Sequence, residues 1–222
     1  MHVVTIAGPK GGSGKSTLTA ILAVRASQIK GAKVAMIDLN EDQGTLTDWW
    51  VLRGRPTNPF LYNSEGTLDE LVSGLRADGW THCFIDGPPY EQDLVEMSVV
   101  VAHAVLIPVK LSYFDTSAID SIIGMCSRRK KPYAFVISEY DDRKAFANPN
   151  NIGFGMLEGR GEILPTRIAY HAKHRVGQIQ GKTGGELDKT LAEEAEKVWK
   201  ETGRLLLGTA SPLKTIEGGR RG

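Results

Sequence analysis

A glycine-rich stretch near the N-terminus places the strongest constraint on what this chain can fold into. It reads Pro9-Lys10-Gly11-Gly12-Ser13-Gly14-Lys15-Ser16-Thr17, and it stands between an apolar run at residues 3–7 and a helical pattern over residues 16–30. Strand, glycine-rich loop and helix in this order are typical of a phosphate-binding loop. Glycines let backbone N–H groups turn toward an anion, and the helix N-terminus adds its dipole. The stretch therefore predicts an anion site where the first strand ends.

Two side chains of this loop are suited to a nucleotide. Lys15 can neutralise phosphate charge, and the Ser16 hydroxyl can ligate Mg²⁺. The loop departs from the strict G-x-x-x-x-G-K-[ST] pattern, because Pro9 stands at its first position and a second lysine, Lys10, precedes Lys15. The predicted nucleotide-binding residues of the loop are Lys10, Gly11, Gly12, Ser13, Gly14, Lys15, Ser16 and Thr17.

The rest of the chain alternates apolar, often β-branched runs with helical patterns. Strands are predicted at residues 3–7, 33–38, 82–86, 105–109, 133–138 and 162–164. Helices are predicted at 16–30, 67–76, 92–101, 116–129, 168–177 and 185–204. Buried strands separated by helices predict an α/β fold, with a mostly parallel, doubly wound sheet flanked by helices.

The length of 222 residues suits one such domain, which we expect to span residues 1–207, with 208–222 as a flexible tail. Residues 140–161, rich in Asn, Asp and Gly, are expected to form a surface loop with room for one turn of helix. The two cysteines, Cys83 and Cys126, have no metal-ligand spacing, and we expect no disulfide between them, which fits a reducing cytosol. The first strand leaves no room for a signal peptide and no apolar run is long enough to cross a membrane, so we expect a cytoplasmic protein.

The pattern Lys-Gly-Gly-x-Gly-Lys-Ser over residues 10–16 resembles the deviant Walker A motif of the ParA/MinD family of dimeric P-loop ATPases. The resemblance extends over about residues 1–205. It implies that the chain binds ATP and Mg²⁺ and dimerises with two ATP molecules between the subunits. In that arrangement Lys10 reaches the phosphates bound by the other subunit.

The second predicted strand ends Ile37-Asp38-Leu39-Asn40-Glu41-Asp42-Gln43, where the family typically shows Asp-x-Asp-Pro-Gln. The resemblance implies that Asp38 helps to hold the magnesium hydration shell. The residue that positions the attacking water is either Asn40, at the second Asp position, or Asp42, before Gln43. Because an asparagine orients water but cannot take a proton, we expect slow hydrolysis. The predicted catalytic set is Lys10, Lys15, Asp38, Asn40 and Asp42.

The strand predicted at residues 82–86 continues into the segment Phe84-Ile85-Asp86-Gly87-Pro88-Pro89. This segment resembles the family's Walker B segment, in which Thr usually stands at the position of Gly87. Asp86 therefore joins Ser16 and Asp38 as a predicted metal ligand, directly or through water. Ser138 stands where relatives carry an adenine-reading Asn. Pro165 and Thr166 resemble the loop beside the base.

A local basic cluster is the candidate surface for nucleic acid, because the net charge of +1 leaves no bulk attraction. Its predicted DNA-binding residues are Arg167, Lys173, His174 and Arg175. A solvated charged helix face is the alternative. The resemblance to short ParA-like proteins implies non-specific DNA binding in this region and a ParB-like or cargo-adaptor partner that stimulates hydrolysis, with the ATP-bound dimer on the nucleoid. No membrane binding is expected.

The function predicted on this basis is an ATP-dependent, dimerising ATPase that segregates or positions DNA or a protein complex. Two other hypotheses remain open from the sequence. Asn40 and Gly87 suit a nucleotide-dependent scaffold that does not hydrolyse ATP. The P-loop itself also suits a metabolic enzyme of the dethiobiotin-synthetase type.

Overall fold

Seven parallel strands form one sheet within the described part of the chain. The computed structural model describes residues 1–8, 10–40, 44–62, 66–89, 91–111, 116–140 and 152–208. The strands are β1 (His2–Ile6), β2 (Val34–Asp38), β3 (Phe60–Tyr62), β4 (His82–Asp86), β5 (Ala104–Val109), β6 (Tyr133–Ile137) and β7 (Glu162–Ile163). Their order across the sheet is β3-β2-β4-β1-β5-β6-β7. The predicted doubly wound α/β fold is confirmed.

The helices are α1 (Lys15–Ser27), α2 (Thr45–Leu52), α3 (Leu68–Ala77), α4 (Gln92–Val101), α5 (Thr116–Arg128), α6 (Ile152–Leu157), α7 (Ala172–Ile179) and α8 (Lys189–Leu206). A short 3₁₀ turn, Gly184–Glu186, precedes α8.

The sheet is buried on both faces because side chains alternate along each strand and helices cover both sides. On one face, Leu22 of α1 and Val198 of α8 pack in one cluster with Phe84 of β4. On the other, α4 and α5 cover the β5 and β6 side chains, while α3 covers β2 and β4. The helix α8 turns Leu191 and Val198 into the core.

Two elements were not predicted, the short strand β3 and the helix α2, because tertiary pairing decides them. Within the predicted loop at 140–161, for which one turn of helix was expected, the described residues form the short helix α6. Leu157 of α6 is fully buried, and Gly153 approaches the Leu111 carbonyl so closely that a Cβ would lie 2.6 Å from that oxygen.

The helix predicted at 168–177 begins later, at Ala172. The backbone N–H groups of Ile168 and Tyr170 donate to the carbonyls of Ile137 and Tyr140, both at 2.8 Å, so this segment is extended alongside β6. The helix predicted at 185–204 is also divided. Asp188 caps α8 by accepting from the Thr190 N–H at 2.8 Å, which leaves Leu187 outside the helix.

Some predictions fall outside the described residues. Asp42 and nearly all of the predicted tail, from residue 209 onward, are among them, and so is Pro9 of the loop. No helix within the described ranges is long and apolar enough to span a membrane.

Candidate functional site

The ends of three neighbouring strands bring the predicted loop and two predicted acids to one edge of the sheet. In the parallel register, Asp86 at the end of β4 lies opposite Ile6 of β1 and Asp38 of β2. The glycine-rich loop leaves β1 at the same edge and leads into α1. The carboxyl edge of a parallel sheet is where such folds bind ligands.

Two glycines give the loop a backbone conformation that other residues rarely adopt. Gly12 has φ 75° and Gly14 has φ 97°, both in the left-handed region. Gly14 is also the N-cap of α1 and supplies no side-chain hydrogen bond. The N–H groups of the first turn are therefore left without a side-chain cap, which suits an anion.

Lys15 is buried beneath this loop, with 5% of its surface exposed. Its ammonium donates to the Lys10 carbonyl at 2.9 Å. Burial lowers the pKa of Lys15, while the nearby Asp86 charge opposes that shift. The lysine thus closes the loop across its base and places a positive charge beside Asp86.

Asp86 is the most deeply buried acid of the site, at 1% exposed. Neither of its carboxylate oxygens makes a hydrogen bond of ordinary geometry. Burial raises the pKa of Asp86, although the nearby Ser16 hydroxyl and Lys15 ammonium favour its charged form. A buried carboxylate beside the Ser16 hydroxyl is a donor set that fits Mg²⁺ or its bound water.

Asp38 is held quite differently. One carboxylate oxygen accepts from the Thr47 N–H at 3.1 Å and from the Thr47 hydroxyl at 3.0 Å. The other accepts from the Asn40 N–H at 3.0 Å. Asp38 therefore fixes the first turn of α2 and the backbone that carries Asn40.

A cavity of about 300 Å³ opens in front of the loop, and we call it the loop cavity. Its loop end is formed by the loop, Asn40 and the start of α2, and comprises Gly11, Gly12, Gly14, Lys15, Ser16, Thr17, Leu18, Asn40 and Thr45. The rest of its wall, which we call the far end although Ser138 and Gln178 in it also contact the loop and the start of α1, comes from β5, β6, the segment after β7, and α7. It comprises Pro108, Val136, Ser138, Glu139, Ile168, Ala169, Tyr170, His171, His174, Arg175 and Gln178.

The predicted adenine-side residues divide into two groups. Ser138 lines the cavity, but its hydroxyl donates to the Ser13 carbonyl at 2.6 Å and so braces the loop. Pro165 and Thr166 are not part of the wall. Thr166 is bound to Glu201 through both its N–H, at 3.1 Å, and its hydroxyl, at 2.7 Å. The extended segment that follows, Ile168 to Tyr170, lines the cavity instead.

The four predicted DNA-binding residues do not form a single exposed face. His174 is buried, 9% exposed, and its Nε2 lies 3.6 Å from Glu194 Oε1. Arg167 lies over the rings of Tyr140 and Phe154.

Lys173 and Arg175 diverge within one helix. The Lys173 ammonium pairs with Asp188 at 2.7 Å, outside the loop cavity. Arg175 lines the cavity and donates to the Tyr170 hydroxyl at 2.9 Å. The buried position of His174 makes it unsuited to a phosphate backbone, so its prediction as a DNA contact is corrected.

Sequence reasoning missed several residues of the wall. Thr45 begins α2, which was not predicted, and Tyr170 lay in a segment predicted as helix. Gln178 of α7 donates to the Thr17 hydroxyl at 2.8 Å and so joins α7 to the start of α1. No local pattern marks these residues, because distant segments bring them to the cavity.

Comparison with known proteins agrees with this geometry. A family model described as the CobQ/CobB/MinD/ParA nucleotide binding domain matches residues 4–153. No protein of curated function matches the chain in sequence.

Several solved structures share the fold. The MinC:MinD cell division complex of Aquifex aeolicus is 19% identical, covering 97% of this chain and 99% of that chain with a TM-score of 0.70. A plasmid partition protein of Borrelia burgdorferi B31 bound to AMPPNP is 18% identical, covering 94% and 99%, with a TM-score of 0.67. Cobyrinic acid a,c-diamide synthase of Mycobacterium smegmatis, with bound ADP and magnesium, is 18% identical, covering 95% and 97%, with a TM-score of 0.66. These identities are low enough that the likeness is one of fold alone.

Proposed function

Because the chain belongs to the CobQ/CobB/MinD/ParA nucleotide-binding family, we propose that it is an ATP-dependent, dimerising ParA-like ATPase that positions cargo. The observation that carries the proposal is the pair of lysines in the phosphate loop. Lys15 is buried under the loop and is tied to the Lys10 backbone, while Lys10 itself stands five residues earlier. One lysine then serves the nucleotide of its own subunit, and the other serves the nucleotide of its partner.

The residues of the loop end suit ATP with Mg²⁺. The uncapped first turn of α1 and Lys15 provide positive potential for the phosphates. Ser16 and Asp86 would hold the metal, since the buried Asp86 carboxylate lies beside the Ser16 hydroxyl. Bound Mg²⁺ supplies neutralisation of the phosphate charge during transfer. Solved relatives with the same fold contain AMPPNP, or ADP and magnesium, which supports this assignment.

ATP would drive dimerisation because contacts between Lys10 and the partner's nucleotide exist only in the dimer. Light scattering after size exclusion, with ADP and with ATP·Mg²⁺, tests this on the wild type and Lys10→Ala. We expect an ATP-dependent dimer that Lys10→Ala abolishes while ATP still binds the monomer. The matched control is Lys30→Ala, an exposed lysine just beyond the end of α1. A Lys10→Ala chain that dimerises like the wild type would refute the cross-subunit role.

We propose that the dimer moves on non-specific DNA. Arg167 and Lys173 are the residues proposed to contact the DNA. Arg167 is exposed, and the Lys173 side chain is 44% exposed although it pairs with Asp188. Cations that contact only phosphates give binding that weakens with salt. Arg167→Gln with Lys173→Gln should lower the slope of log affinity against log salt by roughly 0.9 for each phosphate that the variant no longer neutralises. An unaltered slope would move the DNA surface elsewhere.

Hydrolysis is proposed to be slow and to need a partner protein, because Asn40 lines the loop end without a carboxylate. A nucleotide-dependent scaffold is the second candidate, favoured by the same residue. Turnover measured with DNA and partner present separates the two. Intact ATP-driven dimerisation without turnover would support the scaffold.

The Asn40→Asp variant sharpens this test. If this position holds the attacking water, a carboxylate there should raise turnover by about 10- to 100-fold. If Asp42 holds the water, Asn40→Asp should change turnover little and Asp42→Asn should abolish it.

A further inference from the structure

The edge of the sheet opposite to the loop cavity carries a concentration of positive charge. At this edge the strands begin and the helices α3 and α5 end. The dipole of each helix favours cations at its own C-terminus, and two such ends meet here. We call the group of side chains the amino-edge cluster, and it comprises Arg76, His103, Arg128, Arg129, Lys130 and Lys131. All of them except Lys131 are exposed.

His103 and Lys131 are held side by side at this edge. The Lys131 ammonium donates to the carbonyl of Ala102, the residue before His103, at 2.7 Å. The His103 Nδ1 accepts from the Val3 N–H at 2.9 Å, so the proton of the neutral ring is on Nε2. The Nε2–H group is therefore a donor beside the ammonium, which is an arrangement that suits an anion.

The protein itself neutralises little of the charge in the cluster. Glu96 of α4 pairs with Arg129 at 3.0 Å. Arg76, Lys130 and Lys131 form no ion pair with any residue that the structure describes. An exposed group of cations with so few internal partners is left to interact with anions from solution.

The pKa values of two members reflect this crowding of like charges. Burial lowers the pKa of His103, and the charges of Arg76 and Lys131 lower it further. Burial also lowers the pKa of Lys131, together with the charge of Arg129. The charges that act on both groups are positive, so a bound anion would relieve their repulsion.

We propose that the amino-edge cluster is a binding surface for the phosphate backbone of nucleic acid. The inference goes beyond the proposed function, because this surface needs neither ATP nor a dimer. Arginine and lysine bind backbone phosphates without reading the base sequence. The cluster contains no large apolar side chain, which a protein partner would need as an anchor.

The position of the cluster separates it from the DNA contacts proposed above. Arg167 follows β7 and lies over the Tyr140 ring beyond the end of β6, on the side of the loop cavity. The amino-edge cluster lies at the other edge and is formed within one subunit. Nucleic acid should therefore bind there without nucleotide, and this binding should persist in Lys15→Ala.

Fluorescence anisotropy of a labelled random-sequence DNA duplex, titrated with the nucleotide-free full chain, tests the surface. Arg76→Gln with Lys131→Gln should weaken binding about 10-fold at low salt. It should also lower the slope of log affinity against log salt by roughly 0.9 for each phosphate that is no longer neutralised. The matched control is Lys197→Gln with Lys200→Gln. This control removes the same charge from exposed positions of α8, on the other face of the sheet, and should change the affinity little.

A second measurement locates the nucleic acid on the nucleotide-free chain. When the duplex is added, the ring NMR signals of His103 should shift, and those of His171, which lines the loop cavity, should not. Arg76→Gln with Lys130→Gln provides a further variant, because both side chains are exposed and substituting them breaks no ion pair. It keeps the test open if loss of Lys131 unfolds the chain, which thermal unfolding checks.

Two competitors distinguish the source of the anion. Inorganic tripolyphosphate has phosphate charge without a base, and in Lys15→Ala it should displace the duplex less effectively than unlabelled DNA at equal phosphate concentration. Polyglutamate should also compete less effectively than DNA. Equal or stronger competition by either one would overturn the proposal, because the surface would then serve a small phosphate compound or an acidic protein segment.

The remaining outcomes separate this surface from the proposed function. Absence of DNA binding without nucleotide, or unchanged affinity in both double variants, would overturn the surface. An equal loss in the Lys197 and Lys200 control would do the same, since net charge alone would then explain the effect. A chain that binds DNA through the cluster but never dimerises with ATP would overturn the proposed function and leave the surface standing.

Discussion

The two ends of the loop cavity are built in opposite ways. The loop end comes largely from one continuous stretch, residues 10–17, and it uses backbone N–H groups with a buried charged pair beneath them. The far end is assembled from β5, β6, the segment after β7, and α7, and it uses side-chain surface. The loop end thus depends on local backbone geometry, and the far end depends on the tertiary packing of side chains.

Because of this difference, we expect substitutions at the two ends to have effects of different size. At the loop end, a buried lysine and a buried aspartate depend on each other, so removing one leaves the other without its partner. At the far end, many weak contacts contribute together, so single changes have smaller effects. Variants at each end test that contrast through their ATP affinity and their stability.

Lys15→Ala should weaken ATP binding by about 100-fold or more, because it removes the buried cation that faces the phosphates. It should also destabilise the ATP-free protein, since Asp86 then lacks a neighbouring positive charge. Calorimetric titration with ATP and thermal unfolding measure the two effects. Lys30→Ala provides the control. Wild-type affinity in Lys15→Ala would show that the charged pair does not bind the phosphates.

The pH dependence of stability should reveal the buried carboxylate. Burial raises the pKa of Asp86 from 3.8 to about 7, so the folded state holds a proton that the unfolded state has lost between these values. Without nucleotide, stability should therefore fall as pH rises from about 4 to 7, by roughly 4 kcal/mol at about 1.4 kcal/mol per pKa unit, and level off above.

Asp86→Asn checks this assignment, because an amide does not titrate. Denaturant unfolding at several pH values should show a flatter profile for Asp86→Asn and higher stability above neutral pH than for the wild type. The stabilisation by ATP·Mg²⁺ should show the reverse trend and grow through neutral pH, since the metal favours the ionised carboxylate. Parallel profiles for the two chains would place the titration on another group.

The contrast between the two ends also explains what the sequence could predict. Gly12, Lys15 and Ser16 could be predicted to lie together because they belong to one continuous loop, and all three line the loop cavity. Asp38 and Asp86 were placed correctly at strand ends because long apolar runs identify buried parallel strands.

Residues of the far end were predicted less well, for a physical reason. Tyr170 lay within a predicted helix because its apolar neighbours fit a helical period, yet pairing with the end of β6 holds that segment extended. Thr166 was predicted to lie beside the base; its hydroxyl donates to the buried Glu201 of α8 at 2.7 Å, and it does not line the loop cavity. Both outcomes depend on partners that are distant in the sequence.

Gly12→Ala should separate backbone geometry from space at the loop end. A Cβ at Gly12 would meet nothing within 4 Å, so the only cost is the left-handed φ of 75°. We expect a loss of about 1–2 kcal/mol in unfolding free energy, with weaker ATP binding if the loop reshapes. Gly74→Ala in α3, also in open space but without a positive φ, should instead stabilise by about 0.5–1 kcal/mol. Equal effects at the two sites would show that the loop backbone is not constrained.

Ser138→Ala tests whether the two ends are independent, because the Ser138 hydroxyl donates from the end of β6 to the Ser13 carbonyl in the loop at 2.6 Å. Both residues are buried, so the carbonyl would be left without its partner at a cost of about 1 kcal/mol. We expect ATP to weaken by about 5-fold, since the loop loses its brace. Ser27→Ala, which removes a local bond to the Val24 carbonyl, is the control and should change stability by less than about 0.5 kcal/mol. If Ser138→Ala lowers stability and leaves both ATP and tripolyphosphate affinity unchanged, the loop keeps its shape alone and the two ends work independently. If tripolyphosphate weakens with ATP, β6 helps to set the phosphate site.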